Sequence, residues 1–360
     1  MRIVFRVEGE PQIGLGHIMR CLALAQSFDS EGHQVLFIMS ESSQSFCQKR
    51  RDWVGDIMPL ATFDEQALSN QVSDDYHDIK LLEANWVKHQ CSELGADWLV
   101  LDGYQFAPSY RQVLCHDNYK LAVFDDMNNS GDLHADLVIN GAHNASKLNY
   151  QVSAPQAQLA LGKSYQVLRK EFLQVSDKNW RKRNTLTLMF GGSDPQNMTL
   201  LALQSLQKIN AAMSITVVTG VAYTQLHTLQ HFIANSQLNV THHHDCQNMA
   251  EILVGTRLAL SAAGGSQFEC LACATPAMLL VVADNQKFAS QQAAKQGWCL
   301  VKQWDQVSID ELISTCMSLW QQAELLQSMH VKALQQPIED GAKAISELML
   351  TLSDKSEFAV

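Results

Sequence analysis

Short apolar, β-branched runs alternate along the chain with longer stretches of helical period, and no other feature restricts the fold as much. Strands apolar at every position are buried on both faces, as when crossover helices cover a parallel sheet. The expected class is therefore α/β, with two Rossmann-like doubly wound domains. In the first half the strands fall at Arg2–Val7, Gln34–Met39, Trp98–Asp102, Leu121–Phe124 and Leu137–Asn140, and Ile18, Leu22, Ala25 and Phe28 form one apolar helix face after the first strand. The polar stretch Gln174–Asn184 reads as a linker, its basic run Arg181-Lys182-Arg183 as a solvated face. A second series follows at Leu186–Phe190, Ile215–Val218, Leu258–Ser261, Ala277–Val282 and Cys299–Val301. The expected organisation is an N-terminal domain over 1–173, a linker over 174–184, a C-terminal domain over 185–308, and a helical region over 309–360 long enough to cross back. A ligand cleft is expected between the two sheets.

Charge and cysteine usage narrow the function classes. The 26 Lys and Arg against 37 Asp and Glu give a formal charge of -11, which repels phosphate backbones and anionic lipid, so neither nucleic acid nor membrane is an expected partner. Nine scattered cysteines do not form a secreted disulfide framework and point to a reducing cytoplasm. Charges at Arg2, Arg6 and Glu8 exclude a signal-peptide core, and nowhere do about 18 uncharged apolar residues run together.

Chemistry is expected where strands hand over to helices. The first strand leads into Gln12-Ile-Gly-Leu-Gly-His-Ile-Met-Arg, which puts Gly14 and Gly16 at a strand-to-helix turn and His17 near the helix N-terminus. In an open parallel sheet such a turn lies at the carboxyl edge, where ligands bind; paired glycines admit a ligand to the backbone and free N–H groups favour an anion. Met19 replaces the third glycine of a dinucleotide fingerprint. His17 is either a general base working near pH 7 or a capping or surface histidine. A second cluster, Ser261-Ala-Ala-Gly-Gly-Ser-Gln-Phe-Glu, offers the amides of Gly264, Gly265 and Ser266 to a diphosphate and Glu269 to a ribose, or is a tight connection with a solvated acid. A third, Phe190-Gly-Gly-Ser-Asp-Pro, has the same form at Gly191 and Ser193, with Pro195 suited to a first helical turn. Asp102, Tyr104, Asp125 and Asp126 close strands on the same edge, where acids commonly cap helices. Asn285 and Gln286 carry amides suited to sugar hydroxyls or N-acetyl groups. The pair Cys270 and Cys273 and the run His242–Cys246 lack the spacing of a structural metal site, so no metal is expected.

Taken in order, Gln12–Leu24 with Gly14, Gly16, His17 and Arg20, then Asp102-Gly-Tyr104, Gly162–Phe172, Phe190–Asp194, Ser261–Glu269 and Ala283–Gln286 resemble the UDP-sugar hydrolases of pseudaminic acid biosynthesis. The resemblance implies a GT-B fold and release of UDP from UDP-2,4-diacetamido-2,4,6-trideoxy-β-L-altropyranose with inversion and with no cofactor or metal. It implies His17 as the base, Tyr104 and Asn285 positioning water or sugar, and Gly14, Gly16, Arg20, Gly191, Ser193, Gly264, Gly265, Ser266, Glu269 and Gln286 binding substrate. Where that family commonly has Asp and Ser after the first strand, this chain has Glu8-Gly9-Glu10. A GT-B glycosyltransferase with another acceptor and a non-catalytic UDP-sugar-binding protein are the competing readings; the N-terminal half carries no apolar or basic docking patch, which favours water as acceptor.

Overall fold

The expected strands assemble into two parallel sheets in the computed structural model, which describes residues 1–9, 15–47, 50–60 and 75–354. Strands β1 (Arg2–Val7), β2 (Gln34–Met39), β3 (Asp56–Pro59), β4 (Trp98–Asp102), β5 (Lys120–Phe124), β6 (Leu137–Asn140) and β7 (Gln158–Leu161) lie in the order β3-β2-β1-β4-β5-β6-β7. Strands β8 (Thr185–Met189), β9 (Ser214–Thr219), β10 (Val240–His244), β11 (Thr256–Ala262), β12 (Ala277–Val281) and β13 (Cys299–Gln303) lie in the order β10-β9-β8-β11-β12-β13. The first sheet belongs to a unit of residues 1–9, 17–169 and 339–360, the second to a unit of residues 10–16 and 170–338. Each sheet is Rossmann-like.

Central strands are apolar because both their faces are covered. In the first unit Val4, Leu99, Leu101 and Val123 pack with Ala84, Val87 and Cys91 of the helix Asp75–Leu94. In the second, Leu186, Leu188, Leu258 and Leu260 pack with Leu203 and Leu206 of the helix Met198–Lys208. Each buried Val or Leu among them contributes about 1.5–3 kcal/mol. The strands without a sequence signal are β3, β7 and β10, all at sheet edges and half exposed, so their residues need not be apolar. The histidine run His242–His244 is thus edge-strand surface, with the Thr219 hydroxyl between His242 Nε2 at 2.8 Å and His244 Nδ1 at 3.1 Å.

Two charged residues at β1 are built into the first unit. Arg6 is buried mid-strand and meets Glu83 at 2.7 Å and Glu8 at 2.5 Å, while the Tyr110 hydroxyl donates to Glu83 at 2.8 Å. Glu8 also accepts from the Ser40 amide at 3.1 Å, the Ser40 hydroxyl at 2.6 Å and the Ser43 hydroxyl, and so fixes the start of the helix Glu41–Cys47. Glu8 therefore anchors the fold, and Glu10 lies outside the described residues.

After helices Ile309–Gln321 and Ala323–Leu334 of the second unit, the helix Gly341–Asp354 belongs to the first. There Ser353 accepts from Trp98 Nε1 at 2.9 Å, Ser346 pairs with Ser27 at 3.2 Å, and Lys120 donates to the Leu352 carbonyl.

Arg183 corrects the reading of Arg181-Lys182-Arg183 as solvated. It is 5% exposed and donates to the carbonyls of Leu253, Thr256 and Cys273 and to the Thr275 hydroxyl, at 2.5–3.0 Å. One guanidinium thus ties the end of the helix Met249–Gly255 to the end of the helix Ser266–Ala272. Arg183→Met keeps the bulk but leaves buried carbonyls short of donors, which costs about 1–3 kcal/mol. Calorimetry of the variant should show a lowered unfolding midpoint; an unchanged midpoint would mean the tie contributes nothing.

Candidate active site

In the first sheet the strand order reverses at β1 and β4, the place where open parallel sheets bind ligands at the carboxyl edge. Val7 of β1 pairs with Asp102, the last residue of β4, and Asp102 pairs with Phe124 of β5. The helix Gly16–Ser30 starts above this edge, and its period puts His17, Arg20 and Cys21 on one face. His17 Nδ1 lies 2.7 Å from Asp102 Oδ1; Arg20 reaches the same carboxylate through Nε at 2.6 Å and Nη2 at 2.7 Å. Arg20 Nη1 also donates to Asp126 at 2.7 Å, Asp126 accepts from the Tyr104 hydroxyl at 2.5 Å, and the Tyr104 ring meets the His17 ring edge-on with centroids 4.8 Å apart. The five side chains form a closed ring.

The chemistry of the ring follows from its donors. An ionised carboxylate only accepts, so the His17 proton sits on Nδ1, and in the neutral imidazole Nε2 keeps a lone pair. Nε2 has no partner among the described residues, and His17 is 7% exposed. A base oriented by a buried acid is the arrangement that general-base catalysis requires. Burial alone would raise the Asp102 pKa, yet Arg20 and then His17 bring it down to about 2. Burial would likewise raise that of Asp126, and Arg20 and Tyr104 hold it below the ordinary carboxylate range.

In the second unit the loop after β11 leaves three amides, those of Gly264, Gly265 and Ser266, without acceptors among the described residues. The carbonyls of Ala263 and Gly264 are drawn inward by the buried Gln267 side chain, whose Nε2 lies 2.8 and 3.3 Å from them. Gln286 Oε1 accepts from the Val282 amide at 3.0 Å, and Gln286 Nε2 lies 3.8 Å from where a Cβ on Gly264 would stand. Glu269 is half-buried in the first turn of the helix Ser266–Ala272, and Asn285 is exposed at the start of the helix Asp284–Gln296. The loop after β8 differs. Gly191 takes φ 87°, Ser193 is half-buried, and Asp194 accepts from the amides of Met198 at 2.9 Å and Thr199 at 2.8 Å. That helix begins at Met198, so Pro195 is not in its first turn, and its N-terminus is closed by the chain's own carboxylate.

The structure thus brings together His17, Arg20 and Tyr104 in one unit and Gly264 with Gln286 in the other; Gly16 opens the first helix and Gly14 lies outside the described residues. Arg20, expected to bind substrate, is bidentate to Asp102 and shared with Asp126. The residues missing from the expected set are Asp102, Asp126 and Gln267. The first two had a signal, an acid ending an apolar strand, but the same pattern also describes helix caps. Among the described residues no group of three or more His, Cys, Asp or Glu could hold a metal, and no helix is long and apolar enough to cross a membrane.

Comparison with known proteins agrees with the sheets. Residues 186–345 match the glycosyltransferase family 28 C-terminal domain. MurG of Acinetobacter baumannii superposes with a TM-score of 0.64 at 15% identity, covering 98% of this chain and all of that one. The chain has the GT-B fold, a pair of Rossmann-like units. It is similar, at 25% identity over 301 residues, to the UDP-2,4-diacetamido-2,4,6-trideoxy-β-L-altropyranose hydrolase of Campylobacter jejuni, with 83% of this chain and 98% of that protein covered. It is also 25% identical over 294 residues to an uncharacterised protein of Methanocaldococcus jannaschii, matching 78% of this chain and spanning 55% of that protein's length.

The low pKa of Asp102 predicts how stability depends on pH. A carboxylate depressed from about 3.9 in the unfolded chain to about 2 when folded stabilises the fold fully above the unfolded value, and that contribution fades as pH falls toward 2. Its size is about 2–3 kcal/mol. Asp102→Asn should therefore be less stable than the parent at pH 7, with the gap closing between pH 4 and 2 in denaturant titrations. A gap that stays constant over this range would mean that the Asp102 charge is not what stabilises the ring.

Proposed function

We propose that this chain is a UDP-sugar hydrolase: His17 Nε2 takes a proton from a water that attacks the anomeric carbon, and UDP leaves from the opposite face with inversion. The reading is carried by the ring in which Asp102 fixes the tautomer of His17, and it is supported by the similarity to the Campylobacter jejuni hydrolase. Tyr104, held by Asp126, positions water or sugar beside the His17 ring, and Arg20 holds both acids in place. Amides of Gly264, Gly265 and Ser266, with Gln286 beside them, would take the diphosphate and stabilise the charge on the departing UDP. Glu269 would take the ribose, while Gly16, Gly191, Ser193 and Asn285 complete the substrate contacts. The sugar is of the 2,4-diacetamido-2,4,6-trideoxy type named for that relative.

The family 28 match and the likeness to MurG support a second reading, transfer of the sugar to an acceptor hydroxyl by the same base. Incubation with a panel of UDP-sugars and no acceptor separates the two. A hydrolase releases UDP under these conditions, whereas a strict transferase releases little. His17→Asn should bind UDP as the parent does and lose about 10²–10⁴-fold in UDP release. Turnover by a folded His17→Asn protein at the parent rate would remove His17 from the mechanism.

Gln267 gives an independent check on the diphosphate loop. Gln267→Met keeps length and bulk but frees the carbonyls of Ala263 and Gly264. UDP affinity should fall about tenfold, a loss of about 1.4 kcal/mol, while affinity for uridine, which has no phosphates, stays unchanged. Equal losses for both ligands would mean general damage to the unit.

A further inference from the structure

Beside the ring, wholly within the first unit, lies a cavity of about 210 Å³ at the ends of β4 and β5. Val123, Phe124 and Phe106 make its apolar wall; Tyr104 and Met127, 57% and 37% exposed, also line it. Tyr104 is shared with the ring, where it donates to Asp126 and meets the edge of the His17 imidazole. The cavity has an unusual polar inventory. Arg111 lines it, but all five of its N–H groups are engaged: Nε and Nη2 with the Asp132 carbonyl at 3.1 and 2.8 Å, Nη2 also with the Ser130 carbonyl at 2.9 Å, and Nη1 with the Phe106 carbonyl at 2.7 Å and the Ser130 hydroxyl at 3.2 Å. These bonds hold the Ser130–Asp132 segment against the helix Pro108–Leu114, so the wall is preformed.

Ser130 and Asp125 keep hydrogen-bonding capacity at the cavity. The Ser130 hydroxyl accepts from Arg111 and donates to nothing among the described residues. Asp125 Oδ1 takes the amides of Met127 at 3.1 Å and Asn128 at 2.6 Å and the Tyr150 hydroxyl at 2.6 Å, while its Oδ2 has no partner among the described residues. At the Gly103 wall, the Gln105 carboxamide is shut from solvent with no partner among the described residues, filling the space that a Cβ on Gly103 would need, 2.3 Å from its oxygen. The inventory therefore includes one hydroxyl donor and one carboxylate acceptor against an aromatic and aliphatic wall, with the Asn129 carboxamide also on the lining.

Resting on the hydrolase reading above, we infer that this cavity is the specificity subsite for an acylamino substituent of the sugar. The substituent's N–H meets Asp125 Oδ2, its carbonyl accepts from Ser130, and its methyl lies against Val123 and Phe124. An acylamino group presents one donor, one acceptor and one apolar end, which is the complement of that inventory. A hydroxyl leaves the apolar wall unfilled. A carboxylate meets the Asp125 charge, because the opposing charge of Arg111 has no N–H left to offer. Subsites built around a hydrogen bond reject analogues lacking it far more strongly than those built on a methylene alone.

Saturation-transfer NMR with N-acetylglucosamine, glucose and glucosamine tests the cavity without UDP. The acetyl methyl of N-acetylglucosamine should be saturated by the parent protein, with glucose and glucosamine at background. The signal should fall about tenfold in Ser130→Ala and in Met127→Trp, which fills the mouth, while UDP binding by calorimetry is unchanged. Acetyl saturation that is absent in the parent, or undiminished in both variants, overturns the subsite. Release of UDP from N-acylated and unacylated UDP-sugars with equal kcat/KM also overturns it, leaving the hydrolase reading intact. If the parent releases UDP from no sugar but still saturates the acetyl methyl, the hydrolase reading falls and the subsite stands.

Discussion

The carboxylate of Asp102 is the constraint on which the candidate site of the first unit depends. It is fully buried at the end of a central strand, and a charge in that position persists only if it is paired and hydrogen-bonded. Arg20 and His17 meet the requirement together, and in doing so they fix the first two turns of the helix above the sheet. The same guanidinium reaches Asp126, which holds Tyr104, so one buried acid orients a base, a phenol and the helix that carries the base. The pairing also commits the Arg20 guanidinium to two acids. A guanidinium bidentate to one acid and bonded to a second is already a structural cation.

What could be read from the chain follows from how many sides of each residue are covered. Central strands such as Val4–Val7 and Trp98–Asp102 are enclosed on both faces, so burial dictated apolar residues and the pattern was visible. The edge strands β3, β7 and β10 have no such requirement, and nothing in Val240–His244 distinguishes a strand from a polar loop. His17 and the glycine loops were legible because turn chemistry is local. Asp102 and Asp126 were seen only as strand-ending acids, because their partners stand 85 and 106 residues away in sequence. Arg183 was misjudged for the same reason, since its acceptors lie 70 to 92 residues downstream.

The two glycine loops of the second unit show why a shared outline does not give a shared function. Both follow a central strand and open a helix. At Asp194 the chain satisfies the helix amides with its own carboxylate; at Gly264 it pulls carbonyls inward through Gln267 and leaves the amides unmatched. Free main-chain donors suit an anion, and a loop already holding a carboxylate repels one. The loop of Gly264 to Ser266 is therefore the better diphosphate candidate on grounds independent of resemblance.

Charge balance in the ring bears on the reaction type. With His17 neutral, Asp102 and Asp126 against Arg20 leave one excess negative charge; once His17 has taken a proton, the four groups sum to zero. The site is thus better matched to the state after proton transfer than to the state before it, which is the condition for an electrostatic contribution to catalysis. That matching is indifferent to whether the proton comes from water or from an acceptor hydroxyl. On the proposed reading, the base and its acid act at the anomeric carbon in either case, and the choice between hydrolysis and transfer rests on what else can stand beside Tyr104. An acceptor must bring an alcohol into the space next to the imidazole, whereas water needs only the opening that the sugar leaves. If the neighbouring cavity holds the sugar's own substituent, the sugar occupies the wall that an acceptor would need, and the small nucleophile is the one that fits.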